Sequence, residues 1–131
     1  MSDADRIVAF ITLAEEELAA ARLLAKPASR QAAYFIQQAA EKAARAVLIA
    51  AGIPFGTGHN LGQMAAALPA THALRDAINA LDKHSVAATR YRYPSPAGRL
   101  ADVPTIESVE SGIEEVGAFI DRVKRHLAPT R

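Results

Sequence analysis

The sequence lacks cysteine and tryptophan, and aromatic residues make up only 5% of its 131 residues. Without cysteine, disulfide bonds, thiolate zinc sites and cysteine nucleophiles are excluded. No uncharged apolar run approaches the roughly 20 residues that cross a bilayer. The first five residues, Met1 to Asp5, are acidic where a secretory signal peptide would be basic. We therefore expect a cytoplasmic protein with no membrane partner.

The sequence has, in contrast, a large excess of alanine, which fills 30 of its positions. Alanine is the best helix former, whereas the β-branched and aromatic residues that favour strands are comparatively scarce. The chain shows neither strand-like alternation nor an internal repeat, and its length suits one domain. We expect a single helical domain over residues 1–131.

Apolar residues recur at three- and four-residue steps in four long segments, at 2–26, 29–51, 71–93 and 105–126. A shorter segment of the same kind covers 60–68. Each segment begins at a residue that can cap a helix. These residues are Ser2, Ser29, Asn60, Thr71 and Thr105. The pattern predicts an all-α fold, an up-and-down antiparallel bundle of four long helices plus one short inserted helix.

Charge is balanced overall, with a net value of +1, but it is segregated in the last third of the chain. Residues 90–99 contain Arg90, Arg92 and Arg99 and no acid, whereas residues 100–121 contain six acids and no base. The chain therefore has no general basic surface, but it has one basic segment that could bind phosphate or nucleic acid.

The strongest candidate site is the run Arg90, Tyr91, Arg92 and Tyr93, which leaves a helix and enters a proline-rich loop. Arginine binds phosphate through paired hydrogen bonds, and a tyrosine ring can stack on a base. In the alternative interpretation, the two tyrosines close the end of the bundle and the arginines are structural. Their charge would then be neutralised by acids of the last helix, namely Glu110, Glu114 or Glu115.

A second candidate is a polar stripe on the second helix, where Gln38, Lys42 and Arg45 lie at three- and four-residue steps. Lys42 and Arg45 could contact phosphate, and Gln38 a base or ribose. The alternative is a solvated helix face, stabilised by pairs such as Glu41 with Arg45.

His59 precedes the Asn60 cap, so its imidazole could bind an anion or transfer a proton at a helix N-terminus. The alternative is that it only packs in a glycine-rich loop. The remaining histidines lack the spacing of metal ligands, and the chain has no carboxylate cluster in a loop. We expect no metal and no cofactor.

Several short motifs in this order resemble the HEPN domain family (higher eukaryotes and prokaryotes nucleotide-binding). They are Gln37-Gln38-Ala39-Ala40-Glu41-Lys42-Ala43, Leu48, Gly52, His59-Asn60-Leu61 and Arg92-Tyr93-Pro94. The resemblance implies a helical bundle, usually a homodimer, that binds nucleotide or RNA. It also implies a small nucleotidyltransferase as a possible partner protein, in a toxin–antitoxin-like system.

The sequence departs from the ribonuclease members of that family. Those members have an arginine and a histidine separated by four to six residues, whereas Arg122 and His126 are separated by three and Arg75 and His84 by eight. No catalytic residue is therefore assigned, because fold alone does not imply function. Two alternatives stay open: a divergent metal-independent ribonuclease using Arg90, Arg92 and His59, and a bundle that only binds another protein.

Small apolar residues surround the second helix almost completely, and alanine allows close helix approach across a two-fold axis. They are Ala39, Ala40, Ala43, Ala44, Ala46 and Val47. From this surface we expect a homodimer.

Overall fold

The computed structural model describes residues 2–56 and 60–128, and every regular element in them is a helix. The elements are α1 (Asp3–Leu24), α2 (Ser29–Ala50), α3 (Leu61–Ala67), α4 (Arg75–Ala80), a 3-10 helix (Asp82–Ala88) and α5 (Ile106–Leu127). The prediction of an all-α bundle is confirmed. Within the described residues, no helix combines the length and apolarity needed to span a membrane.

The three long helices, α1, α2 and α5, have 22 residues each and form the body of the bundle. A short connection makes α1 and α2 antiparallel neighbours. Helix α5 also runs antiparallel to α1: Lys124 contacts Glu15 at one end, and Gly117 lies beside Leu18 and Arg22 further along. Helix α2 also packs against α5, α3 and the 3-10 helix, so it is the central element.

Three of the expected helix caps form as the sequence indicates. Ser2 and Asn60 each complete a capping box, with Asp5 and Gln63 respectively. Thr105 accepts a hydrogen bond from the backbone N–H of Ser108 at the start of α5. Ser29 behaves differently, because it is the first residue of α2 and no side chain caps that helix.

The segment predicted as a fourth long helix, 71–93, is divided into α4 and the 3-10 helix, and Thr71 caps neither of them. A 3-10 helix repeats every three residues, so Asp82 and Ser85 lie side by side on one of its faces. Both side chains bind the first turn of α3: Asp82 accepts from the N–H of Gly62, and Ser85 from the N–H of Leu61. These tertiary hydrogen bonds favour the tighter winding over a continuous α-helix.

The small residues of α2 that suggested a dimer surface have another role. They are Ala39, Ala40, Ala43, Ala44, Ala46 and Val47, and each is completely buried within the single chain. They allow α1, α5 and the short helices to approach α2 closely. Because none is accessible to a second copy, this part of the argument for a homodimer is wrong.

Candidate functional site

The chain that follows the 3-10 helix forms an ordered loop, which we call the arginine loop (residues 89–101). The N–H of Arg90 bonds to the carbonyl of Val86 at 2.8 Å, and that of Tyr93 to Thr89 at 3.1 Å. Beyond Pro94, Ser95 and Arg99 are joined by a 2.8 Å backbone hydrogen bond, and Gly98 makes the turn between them with φ +78°. Glycine suits this position because other residues adopt positive φ at a cost.

Two long-range contacts attach the arginine loop to α2. The Arg92 guanidinium lies over the Tyr34 ring, 4.6 Å from its centroid, and donates to the Tyr34 hydroxyl at 3.2 Å. The Arg30 guanidinium donates to the carbonyl of Ala101 at 2.9 Å. Arg92 thus points toward α2, and cation–π attraction helps to hold it there.

The arginine loop lines an open surface depression of about 480 Å³, which we call the arginine pocket. Its lining includes Thr89, Arg90, Tyr93, Ser95, Arg99 and Leu100. Tyr93 is 58% and Leu100 68% exposed, so an apolar surface lies beside two arginines. Within residues 2–56 and 60–128, no carboxylate forms an ion pair with Arg90, Arg92 or Arg99.

The acids of α5 do not neutralise the arginine loop in the described structure. Glu115 binds Lys83 at 2.8 Å and His84 at 2.6 Å, both on the 3-10 helix. Burial raises the pKa of Glu115, but the hydrogen bonds and charges of these two partners outweigh it, so that the pKa is lowered overall. Glu110 and Glu114 lie beside a different depression, near Arg22 and Lys26.

The polar stripe on α2 is partly buried and paired within the chain. Lys42 forms an ion pair with Glu17 of α1, and its ammonium also donates to Gln38 at 3.2 Å. Arg45 binds Glu41 at 3.2 Å. Each cation of the stripe therefore already has a carboxylate partner.

The N-terminus of α3, where an anion site was expected, is occupied by side chains of the protein itself. The N–H groups of Leu61, Gly62 and Gln63 donate to Ser85, Asp82 and Asn60, at 3.0, 2.8 and 2.8 Å respectively. The carboxylate of Asp82 takes the place that an external anion would need. His59 itself lies outside the described residues.

Two other histidines lie close together, outside the sites described above. The rings of His72 and His126 are 5.2 Å apart, and His72 accepts a hydrogen bond from the N–H of Leu74. Burial, followed by the charge of His126, lowers the pKa of His72. In the part of the chain that the structure describes, no group of three or more His, Asp or Glu side chains is arranged to hold a metal ion.

The predicted residues thus fall into separate groups. Arg90 and Tyr93 line the arginine pocket, and the Tyr91 ring lies under Arg90, 5.8 Å from its guanidinium carbon. Arg92 lies between two rings, because its guanidinium carbon is 4.6 Å from the Tyr34 centroid and 5.4 Å from the Tyr93 centroid. Lys42 connects α2 to Glu17 of α1, whereas Gln38 and Arg45 bind side chains of α2 itself. Sequence reasoning did not assign Arg99 to a site, although the absence of acids in 90–99 was a usable signal.

Comparison with known proteins gives two findings. The sequence model of one family, the HEPN domain, matches residues 7–126. The crystal structure of TT1696 from Thermus thermophilus is similar, with a TM-score of 0.72 and 26% identity, over 93% of this chain and 98% of that one. No curated protein matches the chain. Both similarities extend from α1 to α5.

Proposed function

This chain belongs to the HEPN domain family, and we propose that it is a nucleotide- or RNA-binding module whose ligand occupies the arginine pocket. The observation that carries the proposal is the pair Arg90 and Arg99, which line one depression without a carboxylate partner among the described residues. Guanidinium groups of this kind bind phosphate through charge-assisted hydrogen bonds. Tyr93 lies exposed in the same depression, where its ring can stack on a base.

The loop geometry supports this proposal because the pocket is held in shape before a ligand arrives. The turn at 95–99 and the contacts of Arg92 and Arg30 with other parts of the chain fix both ends of the loop. Preorganisation of this kind reduces the entropy that binding costs. The proposal assigns Arg92 to positioning, and it leaves out Gln38, Lys42 and Arg45, because their polar groups already bind one another or Glu17 and Glu41.

The test is the double variant Arg90→Ala/Arg99→Ala, assayed with a fluorescent RNA oligonucleotide and with ADP. We expect a loss of about 1–3 kcal/mol of binding free energy per arginine, with an unchanged melting temperature. Arg125→Ala is the matched control, because this exposed arginine is in the last turn of α5, roughly 28 Å along the helix from Ile106. Full-strength binding by the folded double variant would refute the proposal.

The same assay distinguishes a binding module from a ribonuclease. A module leaves the RNA intact, whereas the alternative, with Arg90, Arg92 and His59 as its catalytic set, cleaves it without metal. Cleavage in EDTA by the wild-type protein, abolished in His59→Ala, would establish the enzyme instead.

We extend the proposal to a protein partner, a small nucleotidyltransferase in a toxin–antitoxin-like system. Its support is membership of the family. The test is co-expression with a nucleotidyltransferase encoded beside this gene. The two chains should elute as one complex, and the partner should relieve any growth inhibition that this chain causes. Separate elution would contradict the partnership.

We also propose a homodimer, through the outer face of α1. This helix has large and small apolar side chains on its solvent side as well as its buried side. Val8 is 65%, Leu13 43% and Leu23 80% exposed, and Ala9 and Ala19 lie exposed on the same helix. An exposed apolar face of this extent is typical of an interface.

The charges of α1 favour an antiparallel pair across a two-fold axis. Asp3 and Asp5 lie in its first turn, and Arg22 lies in its last. A two-fold axis at the middle of α1 would bring the acidic end of each copy to the basic end of the other. The two ends of the interface would then carry complementary charges.

Light scattering tests this interface. We expect the wild-type chain to have twice its 13.9 kDa mass, and Val8→Glu/Leu23→Glu to be monomeric, because each glutamate would be buried in the dimer without a partner. Val103→Glu, at a similarly exposed position outside α1, should leave the dimer intact. A dimeric double variant would exclude this face.

A further inference from the structure

We infer that the arginine pocket accepts one unpaired base of a single-stranded nucleic acid together with its flanking phosphates, with little base selectivity and with rejection of duplexes. The inference rests on the proposed function and names the form of its ligand. It is carried by three properties of the pocket: its openness, the side chains that line it, and the acids that follow it.

The openness of the pocket favours a unit of a polymer over a free nucleotide. Small-molecule sites bury most of their ligand's surface, roughly 70–90%. Here Arg90, Tyr93 and Leu100 are all exposed, so a bound mononucleotide would stay largely in water. Single-stranded nucleic acid is instead bound on exposed aromatic rings beside cationic groups that follow the backbone.

Two cations line the pocket itself. Arg90 and Arg99 line the pocket, whereas Arg92 is bound to Tyr34 and Arg30 to the carbonyl of Ala101. Two phosphate contacts release few counter-ions, so the logarithm of the binding constant should fall with the logarithm of salt concentration with a slope of about −1.4 for a single strand. A shallow slope distinguishes this small site from a general basic surface.

The lining of the pocket provides little means of reading a base. None of the described residues that line it carries a carboxylate or an amide side chain. Apart from Tyr93, its hydroxyl side chains are Thr89 and Ser95, and Ser95 accepts a hydrogen bond from the N–H of Arg99, at 3.1 Å. The Arg92 guanidinium lies over Tyr93, 5.4 Å from its centroid, so a base would stack on the other face of this ring, which is 58% exposed. Such stacking does not discriminate between bases, because each has a π face.

Acids beside the pocket disfavour a duplex. From the pocket wall at Leu100 the chain continues to exposed Asp102 and into the first turn of α5, which carries exposed Glu107. A flexible single strand can follow the arginines and leave the acids uncovered. A duplex is rigid and has a higher charge density, so its phosphates would meet these carboxylates. Its bases are also paired and cannot stack on Tyr93.

The experiment measures binding by fluorescence anisotropy with four 8-nucleotide RNAs, which are rich in A, C, G or U. Each RNA is also annealed to its complement to give a duplex, and AMP is added as a competitor. We expect the four single strands to bind within about threefold of one another and the duplex about tenfold more weakly, a difference that the loss of one stacked base would produce. AMP should compete only at concentrations far above the oligonucleotide dissociation constant.

Five variants, two of them controls, test the stacking ring, the cations and the acids separately. Tyr93→Leu should weaken single-strand binding about tenfold, whereas Tyr93→Phe, which keeps the ring, should not. Arg99→Ala should reduce the salt slope by about 0.7. Asp102→Asn/Glu107→Gln should strengthen duplex binding and leave single-strand binding unchanged, with Asp121→Asn, in the C-terminal half of α5, as control.

Duplex binding as tight as single-strand binding, or a preference above about tenfold for one base, would overturn the inference and leave the proposed function standing. Equal losses in Tyr93→Leu and Tyr93→Phe would overturn the stacking. If no RNA and no nucleotide binds, both the inference and the proposed function are wrong.

Discussion

At the scale of single residues, two helical glycines differ in whether their neighbours leave room for a Cβ atom. A Cβ atom added to Gly62, in α3, would lie 2.8 Å from a carboxylate oxygen of Asp82. That carboxylate cannot move freely, because it accepts hydrogen bonds from Gly62 N–H and from the Ser85 hydroxyl. A Cβ added to Gly117, in α5, would meet Leu18 at an ordinary contact distance of 3.5 Å. Asp82 therefore leaves no room for a side chain at position 62, whereas position 117 has room for one.

We therefore expect Gly62→Ala and Gly117→Ala to have opposite effects on the free energy of unfolding. Gly117→Ala should stabilise by about 0.5–1 kcal/mol, since alanine is the better helix former. Gly62→Ala should destabilise by about 1 kcal/mol, because displacing Asp82 costs charge-assisted hydrogen bonds that outweigh the gain in propensity. Urea denaturation of both variants is the measurement, and stabilisation by Gly62→Ala would contradict the proposed role of Asp82.

At the scale of elements, the 3-10 helix is held from two sides. Asp82 and Ser85 bind the first turn of α3, and Lys83 and His84 bind Glu115 of α5. The arginine loop begins directly after this helix, so these contacts also set where the loop leaves the bundle. The position of the candidate site thus depends on polar contacts between elements that are distant in sequence.

Glu115 predicts a pH dependence of stability. Its pKa is lowered in the folded chain, so its stabilisation is present above the unfolded pKa and is lost as the pH falls through the folded one. Glu115→Gln should lower stability at pH 7 by at most about 1 kcal/mol, since Lys83 is largely exposed. Its difference from wild type should shrink as the pH falls below the ordinary glutamate pKa of 4.5, because a protonated glutamate resembles glutamine.

Thermal denaturation between about pH 3 and pH 7 measures this difference, since that range spans the titration of a carboxyl group. Glu114→Gln is the matched control, because Glu114 is exposed on the same helix and forms no ion pair within the described residues. A constant difference between Glu115→Gln and wild type across this range would contradict the assignment.

At the scale of the whole molecule, the polar side chains that pair inside the bundle are separate from the arginines of the proposed binding site. The α1–α2 interface contains Glu17, Lys42 and the amide of Gln38 among buried alanines, and one carboxylate oxygen of Glu17 is buried without a hydrogen bond. The arginine loop lies at the surface and keeps its cations free of carboxylates among the described residues. The first group pairs within the bundle, and the second forms the proposed binding site.

This division predicts the behaviour of Lys42. Lys42→Met should destabilise the fold by about 2 kcal/mol, because it leaves the carboxylate of Glu17 in the interface without a cation. Lys42→Met/Glu17→Leu should recover most of that loss, and RNA binding by the folded variants should equal that of wild type. Weaker binding by Lys42→Met at unchanged stability would place the ligand on α2 instead.

The helices and the candidate residues were predictable to different degrees. Caps such as Ser2 and Asn60 act within one turn, so the sequence alone locates them. Splitting of the helix expected over 71–93 depends on Asp82 and Ser85 reaching α3, which lies about 20 residues earlier in the chain. The spacing of residues within one segment does not predict such a contact. The pairing of Lys42 with Glu17 was hidden for the same reason, because a helical stripe looks identical in sequence whether it faces water or another helix.

The sequence by itself determined the helical composition, the boundaries of α1, α2 and α5, the membership of the family and the location of unpaired positive charge at 90–99. These properties follow from periodicity, capping and residue order, which are local. Only the tertiary structure decided which partner each arginine has: Arg92 contacts Tyr34 of α2, Arg30 binds the loop backbone, and Arg90 and Arg99 line the pocket. The reason is that side-chain partners are selected by the packing of helices, and packing depends on contacts between residues far apart in the chain.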